Sequence, residues 1–115
     1  MNHEQNARAN HKTGCNCGQA VFLSFARELG LSDEEVRRLA PRPRAEGGQC
    51  GAYLAGKALL SRLKPEAVDA FEAQFTALNG ATECRRLRGA GKTCNDYVGD
   101  AARLAAALIE APSGR

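Results

Sequence analysis

The sequence predicts an all-α, single-domain helical bundle, and three observations carry that prediction. Apolar residues recur at three- and four-residue spacing in each of the longer segments. Helix start and stop residues bound those segments: Ser32 and Thr93 ahead of first turns, Gly30 and Asn79-Gly80 behind last turns. No segment alternates apolar and polar residues between turn residues, as a half-buried strand would. A chain of 115 residues, 43% hydrophobic and 25% charged, is one ordinary globular domain and excludes a mainly disordered one. We expect about four longer helices plus one or two short ones, with short connections that make neighbours antiparallel. No internal repeat of fixed period is evident.

Residues 1–13 read as a flexible tail, because Asn, Gln, His, Arg and Lys dominate and no apolar face repeats. The helical cysteine-containing domain then runs over residues 14–111. In its first helix Val21, Phe22, Phe25, Ala26 and Leu29 fall on one side, and Gly30 stops it because glycine enters the left-handed region cheaply. Ser32 and Glu35 form a capping box for a short helix ending at Ala40, with Val36 and Leu39 inward and Pro41 as terminator. PRPRAEGGQ, residues 41–49, reads as loop.

Helical spacing resumes at 50–63 with Tyr53, Leu54, Ala58, Leu60 and Leu63. Pro65 suits the first position of the next helix, whose stripe is Val68, Phe71, Phe75 and Leu78. Thr82 is a candidate cap for a short helix, TECRRLR. GAGK, residues 89–92, reads as loop, and Thr93 caps the last helix, with Tyr97, Val98, Ala101, Leu104, Ala105 and Leu108 on one side. Residues 112–115 read as a frayed C-terminus.

The five cysteines carry more information than the charge balance. They are too few for a disulfide-built scaffold. The polar start, MNHEQNARANHKTG, contains no apolar stretch of a secretory signal, so a cytoplasmic location is expected, where structural disulfides are rare. Thiols in such a chain are more often metal ligands or redox groups. Cys15, Cys17, Cys50, Cys84 and Cys94 all fall at or near predicted helix N-termini. Unpaired N–H groups and the positive end of the helix dipole favour an anion there, so lowered thiol pKa values are expected. The competing reading makes each a small buried hydrophobe. No C-x-x-C occurs; Cys15-x-Cys17 is C-x-C, which argues against a zinc knuckle or a thioredoxin-like pair.

NCGQAVFLSFARELGL (16–31), GGQCGAYLAGKALL (47–60), F-x-x-F-x-x-x-N-G-x-x-x-C-R-x-L (71–87) and C-x-x-x-V-x-x-A-A (94–102) resemble, in order, the C_GCAxxG_C_C family of small redox-active proteins. The resemblance covers roughly residues 14–109 and implies a small helical domain that gathers four thiols in one place: Cys17, Cys50, Cys84 and Cys94. Two features depart from the family's pattern. Ala55 stands where a glycine is expected five residues after the central cysteine, with Gly56 one later, and Cys15 is additional. Gly51 and Ala52, beside Cys50, are small enough to let a cofactor or another backbone approach the sulfur, or simply to allow tight helix contact.

Other signals are weaker. GAGKT (89–93) matches only the end of a phosphate-binding loop: Arg86 occupies the position of its first glycine, and no strand precedes it. Arg85, Arg86 and Arg88, like Arg42 and Arg44, read as a solvated face before they read as thiolate partners. His11 lies within reach of Cys15 along the chain, but a tail histidine is rarely a ligand. Asp96 and Asp100 form no acid–base pair with another residue.

A net charge of +3 with 5% aromatics and no Trp argues for no nucleic-acid partner, and no apolar run is long enough for a membrane. The expected function is therefore a small redox or electron-transfer protein, an oxidoreductase or electron carrier acting with a redox partner protein. Its four clustered cysteines either ligate an iron–sulfur cluster or act as redox thiols in a dithiol/disulfide couple. Distribution over separate helix starts resembles a cage more than an exchange pair, which favours the cluster; Cys15 is a candidate additional ligand. The alternatives are a thiolate module binding zinc or copper in a structural, sensor or carrier role, and a helical interaction domain with incidental cysteines.

Overall fold

The computed structural model describes residues 2–42 and 45–111. Helices α1 (His3–Lys12), α2 (Cys17–Ser24), α3 (Ala26–Leu29), α4 (Asp33–Leu39), α5 (Ala45–Gly48) and α6 (Gly51–Leu63) are followed by a 3-10 turn (Pro65–Ala67) and by α7 (Val68–Asn79), α8 (Cys84–Arg88) and α9 (Cys94–Glu110). The described residues contain no strand, only an isolated antiparallel bridge between Gln49 and Glu83. The all-α single-domain expectation is met.

Helix α6 is the centre of the bundle, packed against α2, α7 and α9. Its residues Gly51, Ala52, Tyr53, Leu54, Ala55 and Gly56 are buried in an unbroken run. The small side chains among them let neighbouring helices come close. Gly56 is required by such an approach, since a Cβ there would run into the ring of Phe71. Phe71 and Phe75, both fully buried, meet Tyr53 at ring-centroid distances of 6.0 and 5.2 Å, and Tyr97 adds a further contact to Phe75 at 6.5 Å. This aromatic seam joins α6, α7 and α9, with Tyr53 stacked on Phe71 and the pairs to Phe75 tilted, geometries that suit the ring quadrupoles.

The local punctuation falls where the chain chemistry puts it. Ser32 and Glu35 form the capping box of α4, and Thr93 and Asp96 that of α9. Gly30 and Gly80 close α3 and α7 in the left-handed region, at φ of 70° and 78°.

Five local expectations are corrected. Residues 3–12 are no tail but α1, packed on α9 and α2. Its one buried residue is Ala7, and polar side chains do the docking: Arg8 to Asn95 and Asp96, Asn10 to the Ala20 carbonyl, His3 stacked on Phe25 and bonded to Glu28. Such a helix leaves almost no apolar period to read. The first long helix breaks at Phe25, whose N–H turns back to the Phe22 carbonyl at 3.0 Å. Leu39 and Leu78 point outward, 41% and 47% exposed, because each lies on the last turn of its helix, beyond the packed face. Thr82 does not cap α8; its carbonyl accepts from the Cys50 N–H at 2.8 Å, and Glu83 holds the cap position. Within the expected 41–49 loop, Ala45–Gly48 forms the short turn α5. Arg44 and residues 112–115 lie outside the described residues.

Gly18 supplies a stability prediction. A Cβ at that position would collide with the backbone carbonyl of Pro41, which cannot swing aside as a side-chain end could. Gly18→Ala is expected to cost about 1–3 kcal/mol of stability, the usual range for overpacking, measured by urea denaturation under reducing conditions. Unchanged stability would show that the start of α2 is looser than described.

Candidate functional site

Four helix starts carry the four family cysteines. Cys17 is the first residue of α2, behind the Asn16 cap, whose side chain accepts from the Gln19 N–H. Cys50 is the N-cap residue of α6. Cys84 opens α8, and Cys94 opens α9 behind the Thr93 cap. The helix-start placement read from the sequence therefore holds for all four.

Backbone contacts bring these starts together. The Gln49–Glu83 bridge and the bond from the Cys50 N–H to the Thr82 carbonyl tie the lead-in to α6 to the lead-in to α8. Gly18 sits against the Pro41 carbonyl, and a Cβ there would lie 3.5 Å from the Gly51 carbonyl, so the start of α2 abuts the start of α6. Helix α9 packs on both α2 and α6.

The thiols consequently act on one another. Cys17 feels the charges of Cys50, Cys94 and Cys84. Cys50 feels those of Cys84 and Cys94. Burial, followed by the neighbouring thiols, pushes the Cys17 thiol up to about 12. Burial also pushes Cys50 up, against the favourable pull of the Tyr53 and Ala52 backbone N–H groups. The lowered pKa expected at a helix start is thus reversed for these two. The helix amides do favour the anion at Cys50, but desolvation of a buried thiolate outweighs them, and each additional sulfur disfavours ionising the next.

Cys15 is half-buried beside a cavity of about 210 Å³ lined also by Thr13, Gly14, Gln19, Leu23 and Arg37. Gly51 and Ala52 are buried at the start of α6, close to Cys50. His11, expected near Cys15, instead places its Nε2 3.9 Å from the Cys17 Sγ. Lys92 of the GAGK turn bonds Asn79 and Asp100, each at 2.6 Å, over the Tyr97 ring, so it cross-links α7 and α9 and is engaged within the fold. Asp100 also receives Arg103, and Asp96 belongs to the α9 cap and to Arg8. Arg85, Arg86 and Arg88 are exposed, Arg86 paired with Glu83. Arg42 is exposed as well. A groove of about 870 Å³, lined in part by Tyr53, Glu72, Thr76, Glu83 and Arg86, contains none of the cysteines.

Tyr97 and Asn95 were missed as site residues, and His11 was considered only toward Cys15. Tyr97, read as core, donates its hydroxyl to the Leu87 carbonyl at 2.7 Å and lies within electrostatic reach of Cys50 and Cys94. His11 and Asn95 meet at 3.2 Å beside Cys17. Only the position of Asn95, next to Cys94, hinted at this; the His11 contact depends on how α1 docks.

Among the described residues, no three His, Cys, Asp or Glu side chains are set around a common point suited to a metal ion. The four thiols are electrostatic neighbours: Cys17 feels Cys50, Cys94 and Cys84, and Cys50 feels Cys84 and Cys94.

The raised thiols make stability depend on pH. A thiol whose folded pKa exceeds the ordinary ~8.5 stabilises the fold fully below that value. The contribution is lost as the pH rises toward the folded value, about 12 for Cys17. Reduced protein is expected to lose stability steadily between pH 8.5 and 10, checked by urea denaturation with reductant present. Cys17→Ala should flatten that slope; a wild type already flat over this range would contradict the burial argument.

No helix among the described residues is long and apolar enough to cross a membrane. Neither the curated proteins nor the solved structures contain a match to this chain. Residues 15–108 match the family described as "Putative redox-active protein (C_GCAxxG_C_C)". With four cysteine-bearing helix starts converging within that matched stretch, the chain belongs to the C_GCAxxG_C_C family of redox-active proteins.

Proposed function

We propose that the protein is a thiol–disulfide redox protein in which Cys17 and Cys94 form the exchanging pair. Cys50 and Cys84 complete a four-thiol site. The observation that carries this reading is that Cys17 and Cys94 are the first residues of two packed helices, α2 and α9, and that their thiols are electrostatic neighbours. The family's redox description supports the same chemistry in general.

In this reading the dithiol passes two electrons and two protons to a disulfide of a partner protein. A Cys17 or Cys94 thiolate attacks one sulfur of the partner disulfide, expelling the partner's other thiolate. The second thiol of the pair then attacks its mixed-disulfide neighbour, closing a Cys17–Cys94 disulfide and releasing the reduced partner. The reverse sequence reduces the protein.

The donor set itself, four thiolates, is that of an iron–sulfur cluster or a soft metal ion, which would supply one-electron transfer or a structural anchor. Cys17, Cys50, Cys84 and Cys94 would be the ligands. Among the described residues no three His, Cys, Asp or Glu side chains surround a common point, which favours the exchange reading over a cage.

Anaerobically prepared native protein, assayed together for iron, sulfide, zinc, copper and free thiols, tests this. We expect a colourless protein whose free-thiol count falls by two in one reversible oxidation step, with the disulfide mapped by mass spectrometry to Cys17 and Cys94. Cys17→Ser and Cys94→Ser should each abolish that step, while Cys15→Ser should leave it intact. Stoichiometric iron and sulfide with visible absorbance would replace the proposal with a cluster. Stoichiometric zinc or copper, with helicity lost on chelation, would replace it with a metal-binding module.

A further inference from the structure

We propose that His11 is a catalytic hydrogen-bond donor to Cys17, fixed as the Nε2–H tautomer by Asn95, so that negative charge arising in thiol–disulfide exchange falls on the Cys17 sulfur. This deepens the exchange reading above and rests on it. The donor, His11, lies outside the matched family stretch, which begins at residue 15.

The tautomer follows from the way Asn95 is held. Its Oδ1 accepts from the Arg8 Nη1 at 3.2 Å, and its Nδ2 donates to the Arg8 backbone carbonyl at 3.0 Å. Turning the amide over would set an NH2 group against a guanidinium and a carbonyl oxygen against a carbonyl oxygen. Two bonds would become two repulsions, so the orientation is determined. The same Nδ2 faces the His11 Nδ1 at 3.2 Å. An NH2 group only donates, so Nδ1 is the acceptor and carries no proton. The ring proton of the neutral imidazole therefore sits on Nε2, which faces the Cys17 Sγ at 3.9 Å.

The fold supports this chain of contacts. His11 is half-buried on the last turn of α1, and Ala7 on the same helix is fully buried. Arg8 bonds Asp96 at 3.1 Å, and its guanidinium lies over Gly99, where a Cβ would collide with it. Arg8 and Asn95 are positioning residues; the imidazole N–H reaches the reacting sulfur. With Nδ1 engaged by an amide donor, His11 has one N–H to offer and no second proton to transfer. Its part is to stabilise charge, as donors preorganised toward a developing anion do.

The step balances as follows. A thiolate of a dithiol reductant attacks the Cys94 sulfur of the Cys17–Cys94 disulfide. The bond between Cys17 and Cys94 breaks, a bond between the reductant and Cys94 forms, and the electron pair leaves on the Cys17 Sγ under the His11 N–H. The reductant's second thiolate then releases Cys94, leaving an oxidised reductant and a reduced protein that takes up protons from solvent. Leaving-group stability governs the first rate; burial makes Cys17 a poor leaving group, and the His11 N–H offsets part of that penalty, so losing the donor slows the step.

The test is the second-order rate of reduction of the oxidised full-length protein by dithiothreitol, in wild type, His11→Phe and His11→Gln. Phe keeps a planar ring without a donor, whereas Gln keeps an N–H. We expect His11→Phe to be slower by about tenfold, the scale of one hydrogen bond to a charged sulfur, and His11→Gln to recover most of the wild-type rate. Nitrogen-15 NMR of the wild type should place the His11 proton on Nε2. Equal rates for wild type and His11→Phe, a Gln variant as slow as Phe, or a proton on Nδ1 would overturn this inference while leaving the exchange pair standing. Failure of wild type to form a Cys17–Cys94 disulfide would overturn both.

Discussion

The approach of the α2 start to the α6 start is the constraint on which the thiol site depends. Gly18 lies directly against the Pro41 carbonyl and near the Gly51 carbonyl, leaving no room for a side chain. That contact puts Cys17 beside the lead-in that carries Cys50. A second backbone device, the bond from the Cys50 N–H to the Thr82 carbonyl, adds the start of α8. Helix α9, packed against both α2 and α6, supplies Cys94. Cysteines far apart in sequence thus meet because backbones are allowed to touch, and buried glycine and alanine allow it.

Two electrostatic effects compete at this meeting point, and their order sets the resting state. Helix amides pull Cys50 toward its anion through the Tyr53 and Ala52 N–H groups. Desolvation and the other sulfurs push the opposite way and prevail at Cys17 and Cys50. The neutral thiol is therefore the stable form of Cys17 and of Cys50 at physiological pH. Oxidation to a disulfide removes two ionisable groups at once, and a pair with nothing to ionise suffers no repulsion from its neighbours. Burial that slows ionisation thus also makes the closed disulfide a compatible occupant of the same space.

What could be read in advance was what local chemistry writes. Capping residues such as Ser32 and Thr93, stops such as Gly30 and Gly80, and the stripe through Phe71 and Phe75 all depend on neighbours within one or two turns. The cysteine positions at helix starts were legible for the same reason. The sign of the pKa shift was not, because it depends on burial and on which other sulfurs arrive. Leu39 and Leu78 show the same limit: each continues an apolar stripe in sequence, yet lies exposed on the last turn of its helix. Helix α1 was the largest element missed. It docks through Arg8, Asn10 and His3, with Ala7 as its single buried residue, and periodicity has no purchase on polar docking.

That polar docking explains why α1 belongs to the site as well as to the scaffold. A helix seated by a greasy stripe tolerates sliding, since apolar contact is non-directional. Directional bonds do not. Arg8 grips Asn95 and Asp96, the two residues that follow Cys94, while Asn10 grips the Ala20 carbonyl on the helix opened by Cys17. The cross-link therefore spans the two helices whose first residues are Cys17 and Cys94. Any displacement of α1 strains both anchor points, so α1 holds the spacing of the sulfur pair as well as the orientation of His11. A segment with almost no apolar surface is retained in the fold through bonds to the two elements that carry the close thiols.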